Sequence, residues 1–117
     1  MGSFIDLKAA DGQTFPAYVA QPAGPAKGGV VVLQEIFGVN AHIRAVAEQY
    51  ALAGFTVLAP DLFWRQGRRI ELGYVGDERE QALALMRSVA PDEVLADMQA
   101  TLGVLRGRAE CGPRVGA

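Results

Sequence analysis

Residues 30–33, Val-Val-Val-Leu, follow a Gly-Gly pair and run without a polar side chain into Gln34-Glu35. A run this short and this rich in β-branched residues reads as a strand covered on both faces, as strands inside a parallel sheet are. The same reading applies to Phe55–Leu58, which Ala59-Pro60-Asp61 closes. Between the two, Asn40 is a suitable N-cap for a helix over 41–53. There Ile43, Val46, Ala47, Tyr50 and Ala51 recur at helical spacing, and Gly54 takes the C′ place. Strand, helix, strand is the opening of an α/β fold with a mainly parallel sheet and flanking helices.

The remaining segments fit around that unit. Ser3–Lys8 and Thr14–Ala20 form a hairpin across Asp11-Gly12, and 21–29 is a Pro/Gly-rich surface connector. Residues 62–76 form a long aromatic and Arg-rich loop. Asp77 and Glu80 make a capping-box pattern ahead of a helix over about 78–89. A further helix starts at Pro91-Asp92 and reaches about Arg106, with Val94, Leu95, Met98, Leu102 and Leu105 as its apolar stripe. Arg114 to Ala117 opens another strand. Residues 1–117 are expected to form one domain.

Several function classes are disfavoured. Eleven Lys and Arg against thirteen Asp and Glu give a net charge of −2, with no general attraction to nucleic acid or to an anionic membrane. No apolar run approaches the roughly 20 residues of a spanning helix. The amino terminus lacks the basic and apolar regions of a signal peptide. A lone cysteine, Cys111, has no internal disulfide partner. A cytoplasmic protein is expected. The turn after the first buried strand is Gln-Glu-Ile-Phe-Gly-Val-Asn rather than a glycine-rich phosphate loop, and a lone histidine offers no metal pair. Neither a cofactor nor a metal is expected.

Ligands of open parallel sheets sit beyond the carboxyl ends of the strands. Glu35 and Asp61 lie at two such ends, and the apolar residues after Glu35 favour a pocket wall over a solvated turn. Arg65, Arg68 and Arg69 are expected to belong to a mixed surface with Glu71, Asp77, Glu78 and Glu80 rather than to form an anion site. Phe63 and Trp64 are expected to pack, His42 to lie on the surface, and Cys111 to be an inert loop thiol.

Lys-Ala-Ala-Asp-Gly-Gln-Thr-Phe near the start, Gln-Glu-Ile-Phe-Gly-Val-Asn at 34–40, Ala-Pro-Asp-Leu-Phe-Trp-Arg-Gln at 59–66 and Asp-Glu-Arg-Glu-Gln-Ala at 77–82 together resemble the dienelactone hydrolase (carboxymethylenebutenolidase) family. The resemblance covers nearly the whole chain. It implies the amino-terminal half of a small α/β-hydrolase that opens a lactone or ester through a cysteine acyl-enzyme. The nucleophile elbow would then lie shortly beyond Ala117, and the triad Asp and His later still. By the same resemblance, Glu35 contacts the nucleophilic thiol, the Ile36 N–H is an oxyanion donor, Arg79 binds a substrate carboxylate and Phe37 is an apolar pocket residue. A family tyrosine one helical turn after that arginine is Leu83 here, which bears on the substrate. The implied partners are a small ester or lactone and the remaining half of the fold, or self-association without it. Two other readings compete: a non-catalytic binding or structural half-domain, and a serine-type esterase or peptidase on the same fold.

Overall fold

A computed structural model of the chain describes residues 2–108, 110–111 and 114–117. Its elements are β1 (Ser3–Lys8), β2 (Thr14–Ala20), β3 (Gly28–Val31), α1 (Ala41–Leu52), β4 (Phe55–Pro60), α2 (Gly76–Ser88), α3 (Pro91–Arg106) and β5 (Val115–Gly116). The five strands make one sheet in the order β1-β2-β4-β3-β5. The two apolar runs are neighbouring parallel strands, with Val30 opposite Val57, and β5 lies parallel to β3 on its other side. β2 is antiparallel to both β1 and β4, so the sheet is mixed. The hairpin turns where expected: Gly12 has φ +90 and its N–H donates to the Ala9 carbonyl at 3.0 Å.

Alternation along β4 supplies two cores. Val57 and Ala59 face α1, where Ile43, Ala47 and Ala51 lie a helical turn apart and cover them. Leu58 faces the other way, against Leu105 of α3 and against Phe15, Val31 and Trp64. Each sheet face thus has its own helix, the arrangement an α/β fold requires. Asn40 caps α1 as its sequence position implies, its Oδ1 accepting from the Ile43 N–H at 3.1 Å. Gly54 closes the helix at φ +108.

Three expectations need correction. The first strand is shorter and less covered than a run over 30–34 implies. β3 ends at Val31; the Val32 N–H still donates to Leu58 O at 2.9 Å, but Leu33 is 38% exposed. β5, its outer neighbour, pairs with β3 only at Gly29 and Val30. The capping box at Asp77 and Glu80 does not form. α2 starts at Gly76, Val75 occupies the cap position without a side-chain bond, and Glu78 instead accepts from the Gly73 N–H at 2.6 Å. Asp77 and Glu78 then fall in the first turn, where carboxylates favour the helix dipole. On α3 the buried line is Asp97, Thr101 and Leu105, while Leu95 of the expected stripe is 54% exposed. The helix is rotated by polar partners on a neighbouring loop, described below.

Candidate active site

Beyond β3 the chain makes a tight turn, with Gly38 N–H donating to Glu35 O at 3.3 Å. Gly38 has φ +89, and a Cβ there would collide with the Ile70 carbonyl oxygen. Only glycine fits both constraints. The 70–74 segment clamps this turn from outside. Leu72 N–H donates to Phe37 O at 3.0 Å, and the Tyr74 ring meets Phe37 edge-on at 4.5 Å. The Tyr74 hydroxyl accepts from Asn40 Nδ2 at 2.9 Å. Arg44 of α1 donates to Val39 O at 2.8 Å and pairs with Glu71 at 3.0 Å. Gln34 links the turn to the loop after β4, its Oε1 accepting from the Leu62 N–H at 2.8 Å.

The loop after β4 is built on two buried carboxylates. Asp61 does not face a cleft as its strand-end position suggested. It is 1% exposed and accepts from the backbone N–H groups of Phe63 at 3.0 Å and Arg69 at 2.6 Å. Burial pushes its carboxyl above the ordinary value, while those two N–H bonds pull the other way. The bond from Arg69 also accounts for that residue's left-handed φ of 58. Asp97 of α3 accepts from Trp64 Nε1 at 2.9 Å and from both terminal nitrogens of Arg65, at 2.8 and 3.2 Å. These bonds are what rotate α3. Trp64 in turn stacks on Phe15 at 5.7 Å, so Phe63 and Trp64 are core residues as expected. Arg68 pairs with Asp6, and the Arg69 guanidinium lies 3.8 Å over the Phe4 ring. Each loop arginine has a partner, but the partners are Asp97 and Glu93, Asp6 and the Phe4 ring rather than the nearby acids Glu71, Asp77, Glu78 and Glu80.

The two loops, α2 and the first turn of α3 border an open pocket of about 190 Å³, with Ile36, Leu62, Phe63, Met86, Val89 and Val94 as apolar walls. Gln34 and Glu35 are its polar lining residues. The structure therefore brings Glu35 and Ile36 together at one pocket. Phe37 is not among the lining residues and packs on Tyr74 instead. Arg79 also lies outside the lining, exposed on α2. It shares a helix face with Leu83 and Met86, and at about 1.5 Å per residue it stands roughly 10 Å along the axis from Met86. Met86, Val89 and Val94 were not singled out in the sequence as pocket residues. The face shared by positions 79, 83 and 86 was the available signal.

Cys111 lies in a turn, as expected, and its side chain reaches into the core. It is 3% exposed, and burial, the leading influence, pushes its thiol up. It packs by Leu105 and Gly29, away from the β3 end that carries Glu35, so it is no nucleophile for that pocket. His42 is exposed in the first turn of α1. No helix among the described residues is long and apolar enough to cross a membrane.

A sheet covered on both faces by helices, with a pocket at the carboxyl end of β3, has the architecture of an α/β-hydrolase. Solved structures agree. A dienelactone hydrolase-type structure from Klebsiella pneumoniae subsp. pneumoniae superposes with a TM-score of 0.82 at 28% identity, over 99% of this chain and 49% of that one. The dienelactone hydrolase of Anabaena variabilis shares the fold, with a TM-score of 0.63 at 14% identity over 51% of its length. The chain belongs to the dienelactone hydrolase family, whose model matches residues 15–117. It is 38% identical over 103 residues to carboxymethylenebutenolidase 1 of Cupriavidus pinatubonensis, covering 87% of this chain and 44% of that protein. It is 34% identical over 108 residues to the carboxymethylenebutenolidase of Pseudomonas sp. strain P51, covering 92% and 45%. The chain thus spans under half the length of these curated relatives.

Proposed function

We propose that the protein carrying this chain hydrolyses a lactone or ester through a cysteine acyl-enzyme, with the nucleophile and the triad Asp and His outside these 117 residues. The observation that carries the reading is positional. β5 runs parallel to β3 beside it, so a chain continuing past β5 emerges at the β3 end that holds Glu35 and Ile36. A nucleophile there would meet the pocket directly.

In this reading the Glu35 carboxylate holds the thiol proton at rest and accepts it when substrate enters. The thiolate adds to the carbonyl carbon, the ring or ester C–O bond breaks, and the leaving oxygen takes a proton. Water then cleaves the thioester, releasing the acid and restoring the thiol. The Ile36 N–H donates to the oxyanion at both stages, and one such donor is worth about 3 to 4 kcal/mol. Phe37 acts through the turn it fixes against Tyr74. Arg79, with a planar fork of donors, takes a carboxylate on the part of the substrate that extends beyond the cavity.

Brief reaction of the whole protein with a chromogenic ester, followed by mass spectrometry of the quenched enzyme, tests the proposal. The expected adduct is an acyl group on one cysteine, with turnover lowered at least tens-fold in Glu35→Gln. An adduct on serine overturns the cysteine mechanism. No adduct and no turnover with any ester or lactone overturns the hydrolase reading.

A further inference from the structure

We infer that the cavity between the Glu35–Gly38 turn and α2 is a subsite for an uncharged apolar arm of the substrate, so that arm length sets specificity. This rests on the hydrolase reading above and adds to it the chemistry of the group bound. The lining supports it in three ways. Ile36, Leu62, Phe63, Met86, Val89 and Val94 offer carbon surface from four elements, the two loops, α2 and α3, as ligand pockets do. Among the described residues, none that is cationic lines the space, and Arg79 stands outside it. The one charged lining residue is Glu35, which repels an anionic group and tolerates a neutral one.

Size limits the arm. The pocket of about 190 Å³ is open to solvent, so an arm that outgrows its apolar lining runs into water and gains little more. An aliphatic arm of about four to six carbons, or one small ring, spans that lining. A carboxylate on the same substrate, if present, must lie outside the cavity on the Arg79 side. Each methylene fully buried contributes enough to raise kcat/KM by about fourfold, until the lining is covered.

Two ester series on the whole protein test the inference: p-nitrophenyl acyl esters from acetate to dodecanoate, and alkyl acetates of the same lengths. In one series kcat/KM should rise by about threefold to fourfold per methylene and level off near six carbons. The responsive series identifies which side of the ester enters. Met86→Trp and Val94→Phe each narrow the cavity, and each should lower the hexyl-to-ethyl ratio of kcat/KM at least tenfold in that series. A structural defect would instead lower all lengths alike. Flat profiles in both series, or unchanged ratios in both variants, overturn the subsite. If no ester is turned over, hexanol is titrated into protein with 13C-methyl methionine and compared with hexanoate. A saturable shift of the Met86 methyl with hexanol, weaker with hexanoate, keeps the subsite while the hydrolase reading fails. No shift overturns the subsite as well.

Discussion

Removing the Asp97 carboxylate should cost about 3 kcal/mol of stability, and the reasoning is local enough to check. Asp97 is 1% exposed and accepts one bond from Trp64 Nε1 and two from the Arg65 guanidinium. Breaking a buried ion pair from one side typically costs about 3 to 5 kcal/mol. The Arg65 side chain is 25% exposed, so it recovers water when its partner goes, which lowers that figure. The buried indole N–H has no such recourse, and its loss adds about 1 to 3 kcal/mol. About 3 kcal/mol remains for Asp97→Ala, and less for Asp97→Asn, whose single carbonyl oxygen still serves one donor. Urea titration of the whole protein, followed by tryptophan fluorescence, reads the change. A double-mutant cycle with Trp64→Phe, read by far-UV circular dichroism because Trp64 is the only tryptophan of these 117 residues, should give a coupling of about 1 kcal/mol. An Asp97→Ala cost under about 1 kcal/mol, or strict additivity in the cycle, would refute the view that this carboxylate fixes the loop to α3.

Four further outcomes are expected. Gly38→Ala forces a Cβ into the Ile70 carbonyl at positive φ, and should cost at least about 2 kcal/mol in a thermal or urea melt and most of the turnover. Because burial holds the Asp61 carboxyl above its ordinary 3.8, its ionisation opposes folding. The associated stability is present below that ordinary value and is lost as pH rises through the higher folded one, so Asp61→Asn should flatten a stability-versus-pH curve across that window. Arg79→Ala should raise KM for carboxylate-bearing lactones by an amount near 1.5 to 3 kcal/mol while leaving uncharged esters almost untouched; equal losses on both would make Arg79 structural. The 117 residues expressed by themselves should show no esterase activity and should sediment as a self-associated species, since β5 presents an open sheet edge beside β3; a monomer with a cooperative melt would contradict this.

The sheet and helix α1 were legible because their signals are local. Val30 to Leu33, Phe55 to Leu58, Asn40 and Gly54 each carry their own instruction through periodicity, cap chemistry or turn geometry. The start of α2 was misread because Asp77 and Glu80 satisfy a cap pattern that the positive φ of Gly76 pre-empts. Asp61 was misread, and Asp97 passed over, for a different reason. A buried aspartate and a solvated one look alike in sequence, and what distinguishes them is donors supplied by Phe63, Arg69, Trp64 and Arg65 after folding. Glu35 and Ile36 could be placed at a pocket from the strand end and the family motif. Met86, Val89 and Val94 could not, because their neighbours across the cavity come from segments distant in the chain.

α2 is buried at a single residue, Ala82, yet it supplies Met86 to the cavity and carries Leu83 and Arg79 on the same side. The helix that borders the proposed substrate pocket is therefore almost decoupled from the two cores that hold the sheet together. Surface positions of this kind accept substitution at little cost to folding. If the proposed substrate site is correct, positions 79, 83 and 86 are where evolution could change what is bound while the scaffold stays intact. Libraries confined to those three positions would sample substrate range directly, with few members lost to misfolding.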